Sequence, residues 1–469
     1  LRSDWGSNAV WLGIHAGKND VGHGHVDLGS FEYEANGVRF ANEMGKDDYN
    51  LPGYFDVVNR NLYVTRAEGH NVYVINPDSG AGQEIRAGSV IEKVQSKPRG
   101  CIYKIDMTPA YVKQVSSAER GFMLSHERRV FTVQDEIVPK GNDEYYWFWH
   151  TVADIEINPD GKSVTLTNSG RKCTLYFECS TDFKIEKGYS LPLPTSPKVD
   201  AQLGGLKSFI NKITVRFKSE VSKPLTFRAV AMAEGCDYAP DSVLTPIKDW
   251  NIEDGESAVT YSKPSSIMLD GEELTDYSAD KTEYTVPLYK VPEKMPEISV
   301  LGVSEYEISQ ATLENPIAKI KVKSEKSKDF YLTYYINFAI TPSAQKPEGA
   351  KLNIKEITAS ATPEAENPAQ NAMDGNLDTR WAAEGEQSLL CDLGEVKEIS
   401  GVGLAIYYGM QRRQNFEITL SEDGENFVSI VHGKTSGTTL DKEYLSIPIQ
   451  KARYIKLNFS GNSANAWNS

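Results

Sequence analysis

The sequence predicts an all-β protein made of several β-sandwiches in series. Three observations carry this expectation. Apolar and polar residues alternate with a period of two in runs such as "CIYKIDMTP", "RRVFTVQDEIV" and "KITVRFKS", which turns one side of each run toward a core. Gly, Asn, Asp and Pro punctuate these runs at the spacing of hairpin turns. No segment sustains an apolar stripe of helical period.

The elements follow in order. Residues 1–255 contain about ten such runs, from "AVWLGIHAG" and "GSFEYEANGVRFANEMG" to "LTFRAVAMAEG". That is too long for an immunoglobulin-sized unit, so a large antiparallel sandwich of two stacked sheets is expected. Composition shifts near "DWNIEDGESAVTYSKPSS", and a smaller β unit occupies 262–345, with "LDGEEL" as a hairpin turn. "SAQKPEGAK" reads as a polar linker. A third β-rich unit fills 351–469. Three units suit a chain of 469 residues.

The formal net charge of −15 excludes nucleic acid as a general partner, because phosphate binding needs clustered Lys and Arg. A local basic cleft for an acidic polymer stays compatible with it. The five cysteines include no CxxC pair, and Cys173 and Cys179 read as free buried thiols. No apolar run is long enough to span a membrane as a helix. The abrupt opening "LRSDWGSNAVWLGIHAG" is expected of a fragment of a longer protein, so the missing signal peptide says nothing about secretion.

Chemistry concentrates in "NDVGHGHVDLGS", residues 19–30. The chain has seven histidines, and His23 and His25 sit here between glycines. On an extended segment they share one face with Asp27. Glu43 ends the following strand-like run, and His70 precedes "NVYVIN". His25, Glu43 and His70 from neighbouring strands make a nitrogen–oxygen ligand set suited to zinc with one open position. Spacing alone leaves a polar surface pair equally open. His15, His126, His150 and His432 read as structural.

The pattern "RSDW…AVWLGIHAG…GHGHVDLGSFEYEANGVRFANEMG…GHNVYVI" resembles the C-terminal β-sandwich of the heparinase II/III-like polysaccharide lyases over residues 1–250. That resemblance implies an N-terminal (α/α) toroid, expected to be missing here, with the active cleft between toroid and sandwich. It implies His23 as the catalytic histidine and His25, Glu43 and His70 as ligands of a structural zinc ion; Glu43 stands where the family commonly has Asp. It gives Asp27 the part of fixing a turn or an imidazole. The reaction implied is β-elimination at a uronic acid residue. Tyr49, Tyr54 and Arg66 are candidate substrate contacts beside the cleft.

Residues 351–469 carry "AMDGNLDTRW", "DLGEVKEISGV", "FEITLSEDGENF" and "ARYIKL". They resemble the discoidin, or coagulation factor 5/8 C-type, sandwich used as a carbohydrate-binding module. The resemblance implies Ca²⁺ at Asp374, Asn376 and Thr379, whose oxygens suit a hard cation; a turn closed by its own hydrogen bonds is the alternative. Tyr407, Tyr408, Arg412 and Arg413 in "YYGMQRRQN" are candidate sugar contacts. Residues 262–345 resemble Ig- or cadherin-like spacer modules of secreted bacterial carbohydrate enzymes. Together these imply a secreted, periplasmic or cell-surface bacterial lyase acting on an acidic polysaccharide, with a glycan ligand for the last module. The other classes weighed are a non-catalytic glycan-binding or adhesion protein, and a zinc hydrolase, against which the lack of an HExxH helix counts.

Overall fold

The computed structural model describes residues 1–6, 8–55, 60–78, 80–197, 210–257, 259, 261–327, 329–360 and 366–469. Among them the chain is all-β: helical residues form only short 3-10 turns, and no helix is long and apolar enough to cross a membrane. The five cysteines are free thiols. Two compact units emerge, Leu1–Ser262 with Val322–Thr333, and Lys263–Lys321 with Tyr334–Ser469.

In the first unit, an eight-stranded antiparallel sheet runs in the order Asp154–Ile157, Ser163–Asn168, Arg171–Cys179, Leu225–Ala233, Val130–Pro139, Val115–Ser125, Gly100–Asp106, Ile91–Lys97. A four-stranded sheet runs Phe183–Tyr189, Asn211–Lys218, Glu144–Thr151, Tyr73–Ile75, and a small one joins Trp11–Ile14, Phe31–Ala35 and Val38–Ala41. Alternation explains the core. Cys173, Leu175 and Phe177 point inward along one strand while their neighbours face out. Aromatic rings from all three sheets meet: Phe31 lies 5.4 Å from Phe131 and 5.2 Å from Trp149, and Trp147 lies 5.0 Å from Phe227, centroid to centroid.

The strand Glu144–Thr151 positions the functional region because it is buried on both faces. Tyr145, Trp147 and Trp149 enter the sandwich core. Phe148 faces the other way and packs with Val26, Ala67 and Val72. Those three residues belong to the loops that carry the histidines, so the loops rest on the back of a core strand.

In the second unit, Glu283–Leu288 pairs in parallel with Tyr331–Ile340 in a four-stranded sheet. A five-stranded sheet follows, in the order Glu356–Ala359, Glu386–Leu404, Glu443–Asn462, Gln414–Ser421, Val428–Lys434. Val291 and Ile340 enter the same apolar cluster as Trp381, Ile418 and Leu445. Ser343 and Tyr444 exchange backbone hydrogen bonds. The smaller β region and the last sandwich therefore share one core.

Candidate functional site

Residues 19–30 form a pinned loop, not the expected strand. Asn19 is buried and binds the Gln83 side chain and the Glu84 carbonyl, each at 3.1 Å, and its Oδ1 accepts the Asp27 N–H. Val26 N–H donates to Thr65 O. A turn closes from Gly24 N–H to Val21 O at 3.0 Å, and His23 takes a left-handed backbone, φ 61°. A Cβ on Gly24 would fall 2.3 Å from Val21 Cγ2 and 3.2 Å from Val21 O, so a larger residue there would have to move the Val21 side chain. The turn breaks strand alternation, and His23 and His25 consequently serve different surroundings.

His25 turns inward. Its ring lies 5.2 Å from that of His70, and one donor atom each of His25, Asp27 and His70 lies within 4.8 Å of the others. His70 is buried; its Nδ1 meets Glu43 Oε2 at 2.6 Å, while its Nε2 has no hydrogen-bond partner among the described residues. The Ser30 hydroxyl donates to the other Glu43 oxygen. Glu43, expected as a metal ligand, holds the His70 ring through one oxygen and the Ser30 hydroxyl through the other. Asp27, expected to steady a turn or an imidazole, does both, meeting His15 at 3.2 Å and accepting the Ser30 N–H, and its carboxylate also lies within the His25–His70 cluster. Two imidazole nitrogens and one carboxylate oxygen within 4.8 Å of one another fit zinc.

The local electrostatics follow from these contacts. Burial, then the neighbouring His70, pushes His25 down to about 4. Burial opposes protonation of His70 too, but the charge and hydrogen bond of Glu43 override it and lift the ring to about 9. For Asp27, burial works upward and is outweighed by the His15 hydrogen bond and the nearby imidazoles, which bring it down to about 2. An ion bound to the His70 ring would displace one of its protons, so acid competes with metal.

His23 turns outward. It is exposed, with the Phe55 ring 5.0 Å away and the Tyr49 ring 5.8 Å away, both edge-on. Phe55 and Tyr49 are 48% and 43% exposed, and Lys46 Nζ lies 4.6 Å from the Tyr49 ring centre. The His23 imidazole thus lies against two open aromatic rings, one of which also carries the Lys46 ammonium.

In the last sandwich the Asp374 turn closes on itself. Asp374 accepts the Asn376 N–H at 2.8 Å and the Thr379 hydroxyl at 2.6 Å, and Asn376 Oδ1 accepts the Asp378 N–H. These bonds hold the exposed Asp374 carboxyl below its ordinary range. Nearby in the chain order of loops, the Tyr407 and Tyr408 rings lie 4.1 Å apart. The Arg380 guanidinium sits 4.1 Å from the Tyr407 ring centre and Arg412 sits 5.0 Å from that of Tyr408.

Residues 6–228 match the family described as heparinase II/III-like, C-terminal, and residues 356–469 match the F5/8 type C domain. The chain joins a heparinase II/III-like C-terminal domain to an F5/8 type C domain. Among solved structures, the CBM32 of AlyQ in complex with 4,5-unsaturated mannuronic acid is 37% identical over 26% of this chain and 92% of that one, TM-score 0.25. A pectin binding carbohydrate binding module is 30% identical over 25% and 86%, TM-score 0.25. Heparan sulfate lyase HepC from Pedobacter heparinus is 11% identical over 71% of this chain, TM-score 0.40, and the match spans 40% of that protein's length. No curated protein matches.

Within the heparinase II/III-like domain, two expected substrate contacts lie inside instead. Tyr54 is 3% exposed, with its hydroxyl accepting the Asp47 N–H at 3.3 Å. Arg66 is 2% exposed, donates to the Asp78 carbonyl and lies 3.5 Å from Glu68. Each packs where its polar end finds a local partner. The F5/8 type C domain turns Arg413 onto the Ser436 carbonyl, at 3.1 Å, while Tyr407, Tyr408 and Arg412 share one loop cluster. Sequence reasoning missed Phe55, Arg380 and the bracing pair Ser30 and Asn71. Phe55 follows Tyr54 directly, and its apolar ring in the polar stretch "DDYNLPGYFD" was the available signal.

Proposed function

We propose that this chain is part of a polysaccharide lyase that cleaves a uronic-acid-containing polymer by β-elimination, with the F5/8 type C domain holding glycan. The observation that carries this reading is the division between the two histidines: His25 faces inward to Asp27 and His70, and His23 faces outward beside exposed aromatic rings. The match to the heparinase II/III-like family supports it.

β-Elimination removes the C5 proton of the uronic acid and expels the 4-linked oxygen, leaving an unsaturated sugar end. Charge builds on the C6 carboxylate, so the reaction needs a base near C5, an acid near O4 and neutralisation of the carboxylate. Imidazole as a class exchanges protons near neutral pH, and His23 is the group assigned to that exchange. Tyr49 and Phe55 offer faces for the sugar ring, and Lys46 offers charge for its carboxylate. His25, Asp27 and His70 are assigned to hold zinc, with Glu43 orienting His70. Zinc, when bound, supplies a fixed positive centre that orders the loop beside His23. In the F5/8 type C domain, Tyr407, Tyr408, Arg380 and Arg412 are assigned to glycan, and Asp374, Asn376 and Thr379 are assigned to Ca²⁺, on a turn that also closes by its own hydrogen bonds. A polymeric substrate fits work outside the cytoplasm, in a secreted, periplasmic or surface-held enzyme.

The test uses the full-length protein on heparan sulfate, chondroitin, hyaluronan and alginate, reading the ultraviolet absorbance of the unsaturated end. One polymer should give product, and His23→Ala should lower turnover by at least about 100-fold. Undiminished turnover in that variant sinks the reading. Glycan binding without product on any polymer favours the non-catalytic adhesion class.

A further inference from the structure

Beneath the histidine cluster runs a buried chain of polar groups that the proposed chemistry does not use. Lys212, on the strand Asn211–Lys218, is 6% exposed. Its Nζ lies 2.7 Å from Leu191 O and 3.1 Å from the Tyr63 hydroxyl, over the rings of Tyr63 and Phe148, each 5.1 Å away. The Tyr63 hydroxyl lies 3.1 Å from His150 Nε2. His150 Nδ1 lies 3.3 Å from Asn71 Oδ1, which also accepts the His150 backbone N–H at 2.7 Å. Tyr63, His150 and Asn71 are all buried.

The directions in this chain follow from the partners at its Asn71 end. The Asn71 amide nitrogen donates to the Phe31 and Asn42 carbonyls, at 2.7 and 3.1 Å, so its oxygen can only accept. His150 Nδ1 must therefore carry the proton, which leaves Nε2 as an acceptor. Tyr63, which also has the Ser190 hydroxyl beside it, is thereby placed to donate to that Nε2, and its oxygen accepts from the Lys212 ammonium. At the other end, the Asn71 backbone N–H donates to Ser30 Oγ at 3.1 Å. That leaves the Ser30 proton for Glu43, whose second oxygen takes His70 Nδ1.

We propose that Lys212, Tyr63 and His150 are positioning residues for the metal cluster: through Asn71 and Ser30 they orient the Glu43 carboxylate that holds the His70 ring. The ammonium at one end polarises the chain and admits only one tautomer of His150. Outer partners of ligating histidines weaken metal binding by about 10- to 100-fold when removed. This inference rests on the zinc reading above, but not on the lyase reading.

Tyr63→Phe removes one hydroxyl and no volume. In the full chain, titration with Zn²⁺ alone should show dissociation about 10- to 100-fold weaker for Tyr63→Phe than for wild type. Tyr73→Phe removes a buried hydroxyl that has no hydrogen-bond partner among the described residues and should leave affinity unchanged. Equal zinc affinity in Tyr63→Phe and wild type overturns the proposal, as does equal loss in both variants, which would mark a general packing effect. Ring-nitrogen resonances of His150 give an independent reading: the Nδ1–H tautomer is expected, and the Nε2–H tautomer overturns the proposal. If wild type binds no zinc, the zinc reading fails by itself, and the His150 tautomer still decides whether the chain runs as stated.

Discussion

His23 and His25 are two residues apart and have unlike surroundings, because one left-handed residue separates their directions. The HxH spacing was legible in the sequence, but the expected extended segment with both rings on one face was not met, because the Val21–Gly24 turn intervenes. The ligand set was legible only in part. Glu43 and Asp27 are both carboxylates near the pair, and the sequence carries no sign that Ser30 and His70 Nδ1 occupy Glu43. Asp27→Asn should accordingly weaken zinc binding more than Glu43→Gln, by direct titration; the reverse order would restore Glu43 as the ligand. His150 supplies a pH dependence. Burial, then the Lys212 charge, holds its value well below the ordinary histidine range. The unfolded chain takes up a proton below about 6.5 and the folded one does not, so the stability present above that pH is lost as pH falls. The slope is about 1.4 kcal/mol per pH unit for this one group. Urea unfolding between pH 7 and 5 should fall off more steeply in wild type than in His150→Gln, and equal slopes would contradict a buried neutral ring.

The antiparallel pair Val115–Ser125 and Val130–Pro139 sets Arg120 opposite Asp135. Both are buried, joined by two bonds of 2.7 Å. Arg120 also donates to Gly29 O at 2.8 Å and Asn71 O at 3.0 Å, the backbone of both loops that carry the cluster. Period-two alternation made most of these strands legible. The same pattern failed at 19–30, where the Val21–Gly24 turn and the Asn19 bonds replace sheet pairing. It gave no warning of Arg120, because an arginine at an inward position reads as an error in the pattern until its partner across the hairpin is known. Removing one member of such a pair leaves an uncompensated buried charge and costs about 3–5 kcal/mol. Arg120→Met should lower stability by that amount in urea unfolding, and Arg120→Met with Asp135→Leu should recover part of it. A double variant no better than the single would show that the carbonyl bonds, not the charges, dominate.

At the scale of the whole chain, all-β organisation and the two family patterns were readable because they depend on alternation and on short motifs such as "GHGHVDLGS" and "AMDGNLDTRW". The common core of the smaller β region and the last sandwich was not, since Val291 and Ile340 meet Trp381 and Leu445 only in three dimensions. On a body of net charge −15, the proposed acidic glycan would need local cations, and the ones proposed for it are Arg380 and Arg412 beside Tyr407 and Tyr408. Tyr407→Ala should weaken binding of an acidic oligosaccharide by roughly 2- to 10-fold. Unchanged affinity on a glycan array or by calorimetry would move the site elsewhere. The core contains its own reporter. The indole N–H of Trp147 donates to Asp135 at 3.1 Å, Asp135 grips Arg120, and Arg120 grips both loops. Occupancy at the surface should therefore be audible at the centre of the sandwich: adding zinc should shift the Trp147 indole resonance, in an unlabelled side chain, before any substrate is present.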